Sequence, residues 1–170
     1  TCHYGECRYT SARLNSYGKV EFQYGRVEAR SQLPDGKKGL WPAVWALGTS
    51  FFEGTDWPYS GEIDIMEYVG KLPNEIFGTV HGPGYSGGNA IHAIHDFTDV
   101  LAPGDSLGKK WMRFAIEWEP TEIRWYVALD SGPDTEDGEW IHFHTVTPAD
   151  TEARGGQWVF DDPEFLIMNF

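Results

Sequence analysis

The stretch GEIDIMEYVG, residues 61–70, constrains this chain more than any other part of it. Glu62 and Asp64 alternate with isoleucines, and this period of two predicts a β-strand that carries its acids on one face. Glu67 would fall on the opposite face of a regular strand. A one-residue bulge near residues 65–66 would turn it back, and bulges are common next to active sites. The stretch therefore predicts a single wall with three carboxyl groups.

Carboxyl groups gathered on one wall suit the hydrolysis of glycosidic bonds. Retaining glycosidases need two of them, one as a nucleophile and one as an acid that later acts as a base. We interpret Glu62 as the nucleophile and Glu67 as the general acid and base. Asp64 lies between them, where its charge and hydrogen bonding would separate the pKa values of the set. The spacing alone fits a solvated acidic face on an edge strand equally well.

The order of the residues favours catalysis over a solvated face. GEIDIME resembles the active-site signature of glycoside hydrolase family 16. The form with an extra bulge residue resembles the laminarinase-type endo-1,3-β-glucanases, whereas the lichenases of the family lack an equivalent of Met66. The similarity runs from Tyr9 to Phe170 and includes TVHGPGYSG, WMRFAIEWEP and EIRWYV. It implies a retaining, endo-acting glycoside hydrolase that cleaves laminarin-like 1,3-β-glucan by double displacement.

Short alternating segments separated by turn residues run through the chain. With almost no helical periodicity, they predict an all-β sandwich in a single domain of 170 residues. The resemblance implies a β-jelly roll whose concave sheet forms an open cleft. It also implies strands before Tyr9 and after Phe170, so we expect residues 1–170 to be an incomplete catalytic domain, truncated at both ends. The Gly-rich residues 84–108 are predicted to be a surface excursion.

The resemblance implies that side chains around the acids bind the sugar chain. The six residues concerned are Trp41, Trp45, Trp57, Glu28, Arg30 and His81. Trp41 and Trp45 are four residues apart and so share one strand face, either in the core or on the cleft floor. Trp57 lies five residues before Glu62, where relatives place a Trp beside the cleavage point, with its ring against a pyranose.

Glu28 and Arg30 share one face of the alternating segment RVEAR. The resemblance implies that they contact substrate on the non-reducing side, although a polar strand face is usually a solvated one. The resemblance also implies that His81 faces the site and hydrogen-bonds the acid/base or the substrate. A single His is more often structural, so only the resemblance favours this role.

A net charge of −13 narrows the range of partners. Binding nucleic acid or an anionic membrane requires a basic patch, so both are excluded, and sulfated or uronate glycans are disfavoured. We expect a secreted monomer that acts on neutral β-glucan. No His-based metal motif is present, and the calcium ligands of many relatives lie near the chain ends, so we expect no cofactor and no metal. Cys2 and Cys7 form either a small-loop disulfide or two free thiols.

Three alternatives to a laminarinase stay open. Two are enzymes of the same family, a mixed-linkage glucanase and a transglycosylase. The third is a non-catalytic β-glucan-binding module, since some relatives keep the fold and lose the acids. An acidic loop over residues 129–139 replaces the short turn usual in the family and leaves the fine substrate assignment open.

Overall fold

The chain folds into two antiparallel β-sheets. The computed structural model describes residues 5–6, 9–130 and 138–170. Within these ranges the strands are β1 (Arg13–Asn15), β2 (Glu21–Phe22), β3 (Gly25–Gln32), β4 (Ala43–Gly48), β5 (Glu62–Glu67), β6 (Glu75–His81), β7 (Ile91–Asp96), β8 (Trp111–Glu119), β9 (Glu122–Asp130), β10 (Ile141–Val146) and β11 (Glu164–Asn169). Both cysteines and residues 131–137 of the acidic loop lie outside the described residues, so the predictions made for them are not addressed.

The acidic strand β5 lies inside the larger sheet. That sheet has the order β1-β11-β4-β5-β6-β7, with β2 also paired to β11, and the smaller sheet has the order β10-β9-β8-β3. Strand β5 therefore has hydrogen-bonded neighbours on both sides, β4 and β6. An edge strand with a solvated acidic face is excluded by this position.

Apolar side chains from both sheets form one core between them. Trp118 and Trp125 of the smaller sheet are almost fully buried there, with exposed fractions of 1% and 0%. Strand β5 contributes Ile63, Ile65 and Met66 to the same core. Burying large apolar side chains is the main favourable contribution to such a fold. The core face of β5 is thus fixed, and its acids are left on the outer face of the larger sheet.

The predicted bulge is present in β5. Trp45 of β4 pairs with Asp64 and Val44 pairs with Met66, so Ile65 is the extra residue. On the other side, the register with β6 shifts between Asp64 and Glu67. Ile65 and Met66 are consecutive, yet both are buried in the core. The shift returns Glu67 to the side of the sheet that carries the other two acids, because side chains alternate again after the bulge.

A cross-sheet hydrogen bond holds the bulge. The indole Nε1 of Trp125, on β9, donates to the backbone carbonyl of Asp64 at 2.8 Å. A buried carbonyl without a partner would cost about 1–3 kcal/mol. Gly78 on β6 makes room for this contact, because a Cβ atom there would lie 2.6 Å from the Trp125 ring. A glycine within a strand often marks such a close approach.

The prediction of a surface excursion over residues 84–108 is wrong. The segment contains β7, which pairs with β6 along six residues. Phe97 and Leu107 are fully buried, and the ring of His95 lies 4.5 Å from that of Phe97. The alternating sequence IHAIHD supplies the strand pattern, but its Gly-rich flanks obscured that signal. His92 is exposed, whereas His95 is partly buried.

One short α-helix, α1 (Pro148–Ala153), follows β10 and was not predicted. Its start carries a capping box. The Asp150 carboxylate accepts hydrogen bonds from the backbone N–H and the hydroxyl of Thr147, and the Thr147 side chain accepts one from the Asp150 backbone N–H. Two short 3-10 turns, Thr49–Glu53 and Gly87–Asn89, complete the helical structure of the described residues. None of these helices is long and apolar enough to cross a membrane.

A buried carboxyl group lies at the start of β11. Glu164 is 1% exposed, and neither of its oxygens has a hydrogen-bond partner within the described ranges. Its backbone pairs with Gly48 of β4 and Phe22 of β2. Burial, followed by the nearby charges of Glu62 and Asp64, raises the pKa of Glu164 well above its usual value. The side chain is therefore held neutral in the fold, whereas in the unfolded chain it ionises near its ordinary pKa.

This difference predicts a pH-dependent gain in stability for Glu164→Met. Above the unfolded pKa the unfolded chain binds fewer protons than the fold, so the wild type loses stability as pH rises towards the raised folded pKa. We expect the variant to be more stable at pH 8 by at least about 1 kcal/mol, or about 2–4 °C in Tm. At pH 4 the gain should be much smaller. Thermal melts at both pH values, with the exposed Glu152→Met as control, test this; an equal gain at both would contradict it.

Candidate active site

The three acids of β5 share one face of the larger sheet and line one cavity. Glu62 and Glu67 are partly buried, whereas Asp64 between them is 4% exposed. Trp41 and Trp45 line the same cavity, together with Arg13, Ala43 and Asn169. The bulge at Ile65 is what brings Glu67 to this wall. The predicted constellation of carboxyl groups is therefore assembled.

Each of the two glutamates accepts a hydrogen bond from a tryptophan. The indole Nε1 of Trp57 donates to Glu62 Oε2 at 3.0 Å, and that of Trp41 donates to Glu67 Oε1 at 2.8 Å. Thr79 adds a hydroxyl contact of 3.3 Å to Glu67 Oε2. Indole N–H groups only donate, so the Trp57 contact favours the ionised form of Glu62. These contacts also fix the orientation of both carboxyl groups.

His81 lies opposite Glu62 on the neighbouring strand β6. Its Nε2 atom is 3.2 Å from Asp64 Oδ2 and 3.6 Å from Glu62 Oε1. The predicted position of His81 at the site is therefore observed. Its nearest acids, however, are Asp64 and Glu62, whereas the general acid and base or the substrate was expected to be its partner.

The acids alter one another's protonation. Burial, with a further contribution from the charge of Asp64, raises the pKa of Glu62 to about 7, while His81 and the Trp57 N–H act in the opposite direction. Burial and then the charge of Glu67 raise the pKa of Asp64 well above its usual value. Carboxylates this close cannot all be ionised in a site of low dielectric. Asp64 is the most deeply buried of the three, so its neutral form is strongly favoured.

A second cavity adjoins the first and is largely aromatic. Trp57 and Glu62 line it together with Arg13 and Trp45, which also line the first cavity. Its remaining lining residues are Asn15, Leu47, Phe51, Phe52, Phe165 and Ile167. Phe52 is 55% exposed, and its ring lies 4.3 Å from that of Tyr17. The two cavities form a groove with aromatic surfaces and a few polar groups, as carbohydrate sites require.

Sequence reasoning missed Arg13. The Arg13 guanidinium carbon lies 4.5 Å from the centre of the Trp45 ring, and the Trp45 indole donates to Asn169 Oδ1 at 2.8 Å. One face of Trp45 is therefore covered by a cation rather than left open for a sugar. Arg13 and Asn169 lie near opposite ends of the chain, and only the pairing of β1 with β11 brings them together. No local pattern in the sequence could have indicated this.

The predicted contact of Glu28 and Arg30 with substrate in the cleft is wrong. Both residues lie on β3, which belongs to the smaller sheet and pairs with β8. On that strand Val27 and Ala29 pack against the core, so Glu28 and Arg30 point away from it. Arg30 forms an ion pair with Asp130 on the same sheet. The charged face of this strand is therefore turned away from the cleft.

Three side chains could in principle hold a metal ion. One donor atom each from Glu62, Asp64 and His81 lies within 4.8 Å of the others. However, His81 Nδ1 accepts a hydrogen bond from the Gly87 amide at 3.1 Å. A histidine bound to metal through Nε2 donates its Nδ1–H to an acceptor instead. The hydrogen bond from Gly87 to Nδ1 therefore disfavours metal binding through Nε2, the ring atom nearest the acids.

Comparison with known proteins connects this geometry to a family. The family model described as Glycosyl hydrolases family 16 matches residues 4–139. The chain belongs to glycoside hydrolase family 16.

Two relatives illustrate the range of names that proteins similar to this chain carry. A protein of Rhodothermus marinus named Beta-glucanase is 40% identical and is matched over 95% of this chain and 52% of its own length. A protein of Penaeus monodon named Beta-1,3-glucan-binding protein is 47% identical and is matched over 94% of this chain and 45% of its own length. The chain thus spans about half the length of these relatives.

A solved structure of the family has the same fold. The laminarinase catalytic domain of Thermotoga maritima MSB8 superimposes with a TM-score of 0.80 at 40% identity, covering 99% of this chain and 61% of that domain. The predicted resemblance to the laminarinase type is therefore confirmed. The all-β jelly-roll sandwich inferred from the sequence is confirmed as well.

The contact between Trp57 and Glu62 predicts an effect on protonation. Trp57→Phe removes an N–H group that stabilises the ionised carboxyl group, so the pKa of Glu62 should rise above its value of about 7. The expected rise is about one pH unit. Titration of the Glu62 carboxyl carbon by ¹³C NMR measures it. Trp41→Phe removes the matching donor from Glu67 and is the control; an unchanged or lowered pKa of Glu62 in Trp57→Phe would contradict the assignment.

Proposed function

We propose that this protein is a retaining endo-1,3-β-glucanase that acts on laminarin-like glucan. The observation that carries the proposal is the bulge in β5, which brings Glu67 to the same wall as Glu62. Each glutamate is oriented by its own indole donor. Two carboxyl groups acting in turn are what retaining hydrolysis requires.

The reaction has two steps. In the first, the Glu62 carboxylate attacks the anomeric carbon while Glu67 gives its proton to the departing glycosidic oxygen. The bond between that carbon and the leaving sugar breaks, and an ester between the sugar and Glu62 forms. In the second step, the Glu67 carboxylate takes a proton from water, whose oxygen attacks the same carbon and releases Glu62. The product keeps the configuration of the substrate.

The protonation of the acids supports these roles. A nucleophile must be ionised, yet burial and the charge of Asp64 raise the pKa of Glu62. When Asp64 holds its proton, it no longer adds negative charge beside Glu62, so Glu62 ionises more readily. A neutral Asp64 can also donate a hydrogen bond to Glu62. Asp64 thus serves the nucleophile as an electrostatic and hydrogen-bonding partner.

The shape and chemistry of the groove support a neutral β-glucan as substrate. Trp41, Trp57 and Phe52 expose 57%, 41% and 55% of their surfaces along it and can stack on the apolar faces of glucose rings. The two adjoining cavities would accommodate a chain longer than a single sugar. The name of the Thermotoga relative, a laminarinase, supports glucan of the laminarin type, and that of the Rhodothermus relative supports a β-glucan.

The proposal extends to cellular location and partners. A polymeric glucan outside the cell cannot cross the membrane and has to be cleaved there, and we propose that the protein is secreted. We also propose that the protein acts as a monomer, since both glutamates and the indoles that orient them belong to the same chain. The two carboxyl groups perform the chemistry without a cofactor.

Glucan binding without hydrolysis is a second candidate function. The relative from Penaeus monodon, which is 47% identical, carries the name of a glucan-binding protein. The groove and its aromatic surfaces would serve binding equally well. Against this candidate, a binding module does not need three acids crowded together, with the pKa values of Glu62 and Asp64 raised, which is a pattern characteristic of active sites.

Replacing Glu62 and Glu67 distinguishes hydrolysis of glucan from binding without hydrolysis. We predict that Glu62→Gln and Glu67→Gln each lower kcat on laminarin by at least about a thousandfold, because each step of the reaction needs its carboxyl group. Binding of laminarin oligosaccharides, measured by calorimetry, should persist in both variants. The exposed Glu53→Gln is the control. Wild-type protein that binds laminarin and releases no reducing sugar would reject the enzyme in favour of the binding protein.

A further inference from the structure

The connection between β4 and β5 exposes four aromatic side chains. Phe51, Phe52, Trp57 and Tyr59 each have more than a third of their surface open to solvent. Large apolar side chains gathered at the surface usually mark a binding site. Phe51, Phe52 and Trp57 line the second cavity of the groove, whereas Tyr59 is not among its lining residues. Three of the four rings are therefore turned towards the groove that contains the nucleophile.

Phe51 and Phe52, which we call the aromatic ledge, are consecutive in the 3-10 turn Thr49–Glu53. Their rings meet edge to face with centres 5.4 Å apart. The Phe52 ring also packs against Tyr17 at 4.3 Å and against Phe165 at 5.6 Å. Phe165 is almost fully buried in a small apolar cluster that is separate from the main core. Phe52 is thus supported by fixed neighbours while more than half of its surface stays open.

Backbone hydrogen bonds hold the turn that carries the ledge. The Thr49 N–H donates to the Pro163 carbonyl at 2.9 Å, which ties the turn to the chain that enters β11. The Thr55 N–H donates to the Ser50 carbonyl at 2.9 Å and closes the turn on itself. A surface that is ordered before its ligand arrives loses less conformational entropy on binding. The ledge is therefore preorganised for a flat apolar ligand surface.

The register of the larger sheet places the ledge away from the general acid. Leu47 pairs with Glu62 on β5 and with Phe165 on β11. Phe165 therefore lies two strand spacings, about 10 Å, from Glu62. Among the three acids only Glu62 lines the cavity that contains the ledge. Because Glu67 protonates the leaving oxygen, the leaving sugar lies on its side, and the ledge is left for the sugars that stay attached to Glu62.

We propose that the aromatic ledge is a distal subsite for the non-reducing part of the glucan, where Phe52 stacks on a glucose ring beyond the ring that reacts with Glu62. The proposal rests on the function proposed above. A β-linked glucose ring carries C–H groups on its faces, and an aromatic ring can cover such a face. Only an oligosaccharide long enough to extend from Glu62 to Phe52 gains this contact. The ledge therefore makes the protein select longer chains on the non-reducing side.

Two p-nitrophenyl β-laminarioligosides, with two and four glucose residues, test the ledge because they share a leaving group and differ only in length on the non-reducing side. We expect the wild type to have the higher kcat/KM on the longer substrate. Phe52→Ala should lower the ratio of the long to the short kcat/KM by about fivefold, the effect of losing one stacking contact. Inactive protein lowers both values equally and cancels in the ratio. If Phe52→Ala does not fold, Phe52→Leu removes the ring and keeps apolar bulk, and its ratio should fall as well.

The control is Tyr59→Ala, which removes an equally exposed ring of the same connection that does not line the cavity. It should keep the wild-type ratio, and so should Phe52→Tyr, which retains the ring at the ledge. No preference of the wild type for the longer substrate, an unchanged ratio in the folded Phe52 variant, or an equal fall in Tyr59→Ala would overturn the proposal.

A binding measurement separates failure of the ledge from failure of the proposed function. If the wild type hydrolyses neither substrate, the function proposed above fails, and calorimetry with laminaribiose and laminaritetraose tests the ledge alone. A gain in affinity with length that Phe52→Ala loses would support the distal subsite. An equal gain in wild type and Phe52→Ala, or no gain in either, would overturn it.

Discussion

The hydrogen bond from the Trp125 indole to the Asp64 carbonyl connects the two sheets where β5 changes register. A bulge leaves backbone groups without their ladder partners, and this carbonyl is buried, so an external donor is needed to stabilise the bulge. Trp125 provides that donor, and the absence of a side chain at Gly78 allows its ring to approach. Without the bulge Glu67 would turn to the core, and one of the two carboxyl groups needed for hydrolysis would be lost from the cleft.

Burying carboxyl groups destabilises the fold, and the burial of apolar side chains in the core offsets this loss. Asp64 is buried at the site, and Glu164 is buried without hydrogen-bond partners among the described residues. Keeping carboxyl groups out of water favours their neutral forms and reduces stability as pH rises. At Asp64 this cost has a function, because its proton reduces the negative charge around Glu62. At Glu164 the described contacts reveal no compensating interaction, and the residue is a net burden on the fold at neutral pH.

Local patterns in the sequence predicted the part of the site that is local. The alternation in GEIDIME and the parity of Glu67 were sufficient to infer the strand, its acidic face and its bulge. Contacts between distant segments were not predictable, because no pattern in β1 indicates that Arg13 lies over Trp45 in the fold. The predicted contact of Glu28 and Arg30 with substrate was wrong for a related reason. Strand alternation identifies the two faces of a strand, but it does not indicate which sheet the strand joins. Strand β7 was missed because Gly-rich flanks hid six alternating residues.

The central claim is that the bulged strand presents Glu62 as the nucleophile. Trapping the covalent intermediate tests this claim most directly. A 2-fluoro laminaribiosyl fluoride reacts in the first step and is released slowly in the second, so the sugar stays bound to the attacking residue. Mass spectrometry of the digested protein should find one disaccharide per chain, attached to Glu62. Attachment to Glu67 or Asp64 would contradict the assignment of roles along β5, and no attachment in protein that hydrolyses laminarin would contradict the retaining mechanism.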